Sequence, residues 1–243
     1  MIRSTYLQPS LILIALFLVV HAGCHSVTSL PAGNAPNTSD LPEMLSFNAS
    51  DDVAPATVCV KTAEEFQRSG HHEEAIALYG KAISHDPRLH DKLSRRLALL
   101  FTKVGRISGA KAEYKRALAY WKDDASLWND YGYFLLKQKQ YSDALSALQQ
   151  ATKLDPANQR AKLNVGIALA YQGQVDSAVQ WMSPIIGEAA ARFNTGSILA
   201  RNGNSVQAAQ QLRWARQLDP HLSQATTLLA QLDKTEPTAK KQR

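Results

Sequence analysis

The densest local cluster of metal-ligand side chains in this 243-residue chain is His71-His72-Glu73-Glu74, two imidazoles followed by two carboxylates. Imidazole nitrogens and carboxylate oxygens are common donors to divalent ions. Two further imidazoles, His85 and His90, flank Asp86-Pro87. Against a metal or catalytic centre stands everything else that chemistry would need. The chain has no Gly-rich phosphate loop, no Cys-x-x-Cys, no His-Glu-x-x-His and no Gly-x-Ser-x-Gly. The net charge of +6 is modest and spread along the chain. The expectation is therefore a protein without enzymatic activity, bound metal or cofactor, with the histidine cluster on a solvated turn.

What would position these residues is a repeat. From Val58 to Pro220 a pattern of small and aromatic residues recurs about every 34 positions. Gly70, Ala75, Tyr79, Ala82 and Pro87 are followed by Gly105, Ala110, Tyr114 and Ala117. The third copy reads Gly132, Ala144, Leu148, Ala151 and Pro156. A fourth gives Gly166, Gly173 and Ala178, and a fifth Gly196, Gly203, Ala208, Leu212, Ala215 and Pro220. Two helices per copy explain the spacing. Gly132, Gly166 and Gly196 fall midway along first helices, facing Ala144, Ala178 and Ala208 on the second, where helix axes must approach to about 8–10 Å. Gly70, Gly105, Gly173 and Gly203 suit left-handed helix ends. Asp-Pro pairs at 86–87, 155–156 and 219–220 stop second helices, because the residue before proline avoids the helical region. The second copy has Trp121-Lys122-Asp123-Asp124 in place of Asp-Pro. The fourth is about four residues short, with Ser183-Pro184 expected to end its second helix early.

These residues resemble the tetratricopeptide repeat, and the third copy matches it most fully: Trp128, Tyr131, Gly132, Leu135, Ala144, Leu148, Ala151, Leu154, Asp155 and Pro156. The resemblance implies an all-α fold, a right-handed α-solenoid of about five helical hairpins. The array is expected over residues 58–221, with a capping helix and basic tail over 222–243 (Leu222, Leu228, Leu229 and Leu232, then Lys240, Lys241 and Arg243). It also implies a protein-binding function, with first helices lining a concave groove. On that template Lys92, Arg95, Arg96 and Lys103 come from the second copy, and Asn129, Tyr133 and Lys137 from the third. Arg160, Asn164 and Tyr171 come from the fourth, and Asn194 and Arg201 from the fifth. Such a groove suits an extended or acidic peptide whose backbone the asparagine amides would satisfy. The plainer alternative for each residue is a solvated helix face. Val60 and Glu64 stand where chaperone-binding members carry their carboxylate clamp, so chaperone C-termini are not expected. Nucleic acid is not expected either, and Trp121 and Trp128 read as packing residues.

The front of the chain belongs elsewhere. Arg3, the apolar run Leu11 to Val20 and then Ala22-Gly23-Cys24 read as a signal peptide over 1–23. Ala-Gly-Cys resembles the end of a bacterial lipobox, which implies lipidation of Cys24, although His21 departs from that pattern. An uncleaved anchor and plain secretion are the alternatives. Residues 24–57, with four prolines and acidic residues as the only charges, read as a disordered tether spanning about 30 Å. With Cys24 acylated, Cys59 is left as a buried small apolar residue or as half of an intermolecular disulfide. His25 after the cysteine favours the outer membrane by analogy with enterobacterial sorting. The layout, with Asn164 to Gly173, the short repeat and Ala191 to Gly203, is similar to lipoproteins of the Tad (Flp) pilus and to type IV pilotins. The implied role is a membrane-tethered adaptor in assembling an envelope machine. The alternative is a general adaptor for peptidoglycan or outer-membrane enzymes.

Overall fold

A computed structural model describes residues 55–235. The signal, Cys24 and most of the tether lie outside the described residues, as does the basic tail. All regular structure among the described residues is helical. The described residues fall into two compact units, divided between His90 and Asp91.

In the first unit, α1 (Pro55–Arg68) packs on α2 (His72–His85). Pro55, expected in the tether, instead opens α1. Its missing N–H costs nothing at a first helical position, where no intrahelical partner exists. Cys59 is 2% exposed and buried on α1 with Ala56 and Ala63, in keeping with a small apolar role.

The second unit contains α3 (Leu89–Lys103) from Asp91 on, then α4 (Ile107–Tyr120), α5 (Ala125–Lys137), α6 (Tyr141–Leu154), α7 (Gln159–Tyr171) and α8 (Val175–Ile186). It ends with α9 (Glu188–Arg201), α10 (Ser205–Leu218) and α11 (Ser223–Thr235). First and second helices pair as α5–α6, α7–α8 and α9–α10, and successive first helices α5, α7, α9 and α11 also pack on one another. The capping helix therefore covers the last hairpin as expected, burying Ala225 and Leu229 beside Ala209 and Leu212.

The helix crossings leave no room for a side chain at Gly132, Gly166 and Gly196. A β-carbon on Gly132 would lie 2.5 Å from Leu148 Cγ and 3.3 Å from the Ala144 carbonyl oxygen. At Gly166 and Gly196 the same construction meets the Ala178 and Ala208 carbonyls at 3.1 Å. Alanines occupy the equivalent sites in the first two copies: Ala63 and Ala98, both fully buried.

The turns between first and second helices share one bond, from an amide to the carbonyl five residues back. It recurs at His71 to Phe66 (2.9 Å), Arg106 to Phe101 (2.8 Å), Gln140 to Leu135 (3.0 Å), Gln174 to Leu169 (2.9 Å) and Asn204 to Leu199 (2.9 Å). The residue before each donor is left-handed, glycine four times and Lys139 (φ 59°) in the third copy. Asp86, Asp155 and Asp219 end their helices as expected, and each accepts the amide two residues on.

Two departures are informative. Asp124 replaces the missing Asp-Pro by capping α5 directly, its carboxylate accepting the Leu127 amide at 2.9 Å. The helix expected to stop at Ser183-Pro184 instead runs to Ile186. Proline there removes one backbone donor, while the Gly187 amide still reaches the Ser183 carbonyl at 2.9 Å. Gly187, at φ 82°, then turns the chain directly into α9, which accounts for the short fourth copy.

Candidate partner-binding face

Helices α3, α5, α7 and α9 each carry predicted groove residues at spacings of three, four, seven and eight, which place them on one helix face. The face begins with Lys92 and Lys103 on α3, both exposed. Tyr133 (51% exposed) and Lys137 follow on α5, then Arg160 on α7 and Arg201 on α9. Tyr171 and Asn194 are half-buried. What the residues do is not uniform.

Arg95 is occupied inside the chain. Its guanidinium donates to Asp124 Oδ2 and Asp130 Oδ2, both at 2.8 Å, and to Ser126 Oγ at 3.0 Å. The arginine is 30% exposed and Asp130 21%. One planar fork thereby ties α3 to both the cap and the second turn of α5. Beneath it lies Tyr114, whose hydroxyl is pushed up to about 12, chiefly by burial and then by the Asp130 charge.

Asn129 and Asn164, expected to meet a peptide backbone, are 3% and 7% exposed. Asn164 Nδ2 donates to Asn129 Oδ1 at 2.9 Å, a buried bridge between α5 and α7. Tyr171 stacks on Tyr141, with ring centroids 4.6 Å apart and planes 5° from parallel, and its carbonyl accepts from Asn202. Burial and the neighbouring Tyr171 raise the Tyr141 hydroxyl pKa. Lys92, Lys103, Tyr133, Lys137, Arg160, Asn194 and Arg201 remain available to solvent.

Sequence reasoning missed two things. Asp124 and Asp130 were not recognised as partners of Arg95, although both are acids near the departure from Asp-Pro. It also missed an open cleft of about 400 Å³ where Arg201 meets Phe193, Ser197 and Ala200 of α9 and Leu228, Gln231 and Leu232 of α11. The available signal was Ser197, a small residue where earlier copies place Leu99, Tyr133 and Ile167.

The histidine cluster sits at the α1–α2 turn. His71 lies edge-on to Phe66 at 5.8 Å, with its Nδ1 3.7 Å from Glu74 Oε1. His85 ends α2 and His90 lies in the first turn of α3. Among the described residues no three His, Cys, Asp or Glu side chains are grouped to hold a metal ion, and no helix is long and apolar enough to cross a membrane.

The family described as the Cilia and flagella-associated protein 70 middle TPR-like domain matches residues 63–215. The chain belongs to this TPR-like family. Its five hairpins are tetratricopeptide (TPR) repeats, and the chain is a protein-interaction scaffold. A sequence relative is the type IV pilus assembly protein PilF of Pseudomonas aeruginosa, 33% identical over 104 residues. The aligned stretch spans 42% of this chain and 41% of that relative. Among solved structures the TPR fold recurs in YrrB, described as a TPR protein with an unusual peptide-binding site. YrrB has a TM-score of 0.55 and 24% identity, covering 74% of this chain and 93% of that one. It recurs also in PilW, a type IV pilus biogenesis factor, with a TM-score of 0.53, 20% identity and coverage of 76% and 89%.

Proposed function

We propose that this TPR chain is a lipid-anchored adaptor. It holds a partner protein on its first-helix face during assembly of an envelope machine of the type IV or Tad/Flp pilus kind. The observation that carries the reading is the 33% identity to PilF over 104 residues. The leader ending in Ala22-Gly23-Cys24 supports the anchor, and the peptide site of YrrB supports a peptide-like partner. Exposed Lys92, Lys103, Lys137, Arg160 and Arg201 favour a partner rich in carboxylates. Rim charges of this kind act mainly through association rate and salt dependence.

Pull-down from envelope extract tests the face. Lys137→Ala/Arg160→Ala/Asn194→Ala is expected to lose pilus-assembly partners, while His71→Ala/His72→Ala at the hairpin tip keeps them. The reverse pattern would reject the groove. Clickable palmitate should label the wild type and not Cys24→Ser, and equal labelling would end the lipoprotein reading.

A further inference from the structure

We propose that the cleft between α9 and α11 is an anchor site for an extended partner peptide carrying a large apolar side chain beside an aspartate or glutamate. This rests on the reading that the first-helix face binds the partner, and it names what one end of that face selects.

The cleft follows from the sequence of α9. Position 197 is serine where the other first helices of the second unit, α3, α5 and α7, place Leu99, Tyr133 and Ile167 on the same face. With Ala200 one turn on, α9 lacks the side chains that would fill the space towards α11. Phe193 closes one end, and Leu228 and Leu232, one turn apart on α11, supply the opposite wall. Apart from Arg201, the polar side chains in the lining are Ser197 and Gln231. About 400 Å³ lies at the small end of the range for ligand pockets, enough for one or two apolar side chains.

Charge decides the second half of the recognition. Arg201 is exposed at the end of α9 and, among the described residues, has no ion pair, although Asp233 lies on α11. The other α9 arginine is already engaged. Arg192 bonds Glu188 at 2.7 Å and Gln211 at 3.0 Å, and lies over the Trp214 ring at 4.6 Å. Glu188 is the one acid on α9, and α7 has none while carrying Arg160 and Lys162. The lining of the cleft therefore holds one cation, Arg201, and no carboxylate, and Asp233 beside it on α11 forms no ion pair with that cation. A peptide carboxylate that pairs with Arg201 while its neighbour fills the apolar cleft uses both features. Because the cleft is open, a strand can pass across it, and the occupant is an internal acidic side chain rather than a chain terminus.

The test is selection of random twelve-residue peptides, displayed with free N-termini and fused C-termini, on the immobilised full-length chain. Enriched peptides are expected to place Phe, Leu, Ile or Met within two residues of Asp or Glu. Labelled versions should bind Ser197→Leu, which puts there the leucine that α3 carries at Leu99, and Arg201→Glu at least tenfold more weakly. His71→Ala/His72→Ala at the α1–α2 turn should change their affinity less than threefold. Failure to enrich peptides, enrichment without an acid, or binding indifferent to Ser197→Leu would overturn the cleft. Peptides indifferent to Ser197→Leu but lost in the Lys137 triple variant would remove the cleft while leaving the wider face standing. Circular dichroism melts of each variant separate lost binding from lost fold.

Discussion

Arg95 and Arg201 stand on the same face of first helices, at opposite ends of the second unit, and the protein treats them in opposite ways. At the α3–α5 end the guanidinium bonds two carboxylates and a hydroxyl. At the α9–α11 end it borders an apolar cleft without an ion pair. The difference comes from the neighbouring copy. The third repeat brings Asp124 as a helix cap and Asp130 one and a half turns later, whereas the capping helix brings Leu228, Gln231 and Leu232. A cation on a repeat face is structural or available according to what the next helix offers it.

The largest expected effect tests the packing both ends share. Gly132→Leu would drive a side chain into Leu148, whose Cγ lies 2.5 Å from the position of a β-carbon. Overpacking of this kind costs about 3 kcal/mol at the upper end of its usual range, and each kcal/mol lowers Tm by roughly 2–4 °C in a domain this size. A loss of roughly 6–12 °C is expected by calorimetry. The same change at Gly196, where the nearest atom is 2.9 Å away, should cost less. Equal losses would show that the two crossings are equally tight.

The second prediction breaks the comparison directly. Arg95→Ala leaves Asp124 and Asp130 facing each other without their cation. Each lost charged hydrogen bond contributes about 1.5–3 kcal/mol in partly buried settings, and partial exposure of this site places the net cost near 2 kcal/mol. Arg201→Ala should change stability by less than about 0.5 kcal/mol, as surface substitutions do. Urea titrations of the two variants read the contrast. If both cost the same, the Arg95 network is no more structural than a surface pair.

The repeat period and its small residues were legible because they answer to backbone geometry. Gly132 can be read from sequence alone, since a fixed helix crossing leaves no room for a side chain. The left-handed positions Gly70, Gly105, Gly173 and Gly203 were legible for the same kind of reason. Lys139 was not, because the third copy takes that conformation without the residue that advertises it. The uses of the polar side chains were hidden more deeply. A template places Asn129 and Asn164 on a binding face, but their 35-residue separation puts the amides side by side, and the bond they form buries both. Arg95, Asp124 and Asp130 are linked by contacts 29 and 35 residues apart, and local pattern carries no mark of such pairings. Pro184 misled because proline removes only its own amide donor, and the helix continues past it as far as the Gly187 amide, which bonds the Ser183 carbonyl.

The smallest predicted effect lies beneath the closed end. Tyr114 occupies the second-helix position that Tyr79 fills in the first copy and Leu148, Met182 and Leu212 fill in the later ones, and it is 2% exposed. Its hydroxyl is pushed up to about 12 by burial first and by Asp130 second, while a bond with Thr102 and the charge of Arg95 pull it back. An unfolded tyrosine ionises near pH 10, so the native state holds its proton over a range where the unfolded state has released one. Stability from this group is therefore complete below about pH 10 and is lost as pH rises towards 12, because the native state binds more protons. By pH 11 the loss is about 1 kcal/mol, following the value of one pKa unit. Urea unfolding at pH 9 and pH 11 should show that loss in the wild type and not in Tyr114→Phe, after the shared alkaline trend of the other tyrosines is subtracted. Removing the nearby charges should shift the midpoint in opposite senses: Asp130→Asn downward and Arg95→Ala upward. If neither moves it, the ionic network does not reach the tyrosine, and the closed end is held by Arg95 and the α5 cap alone.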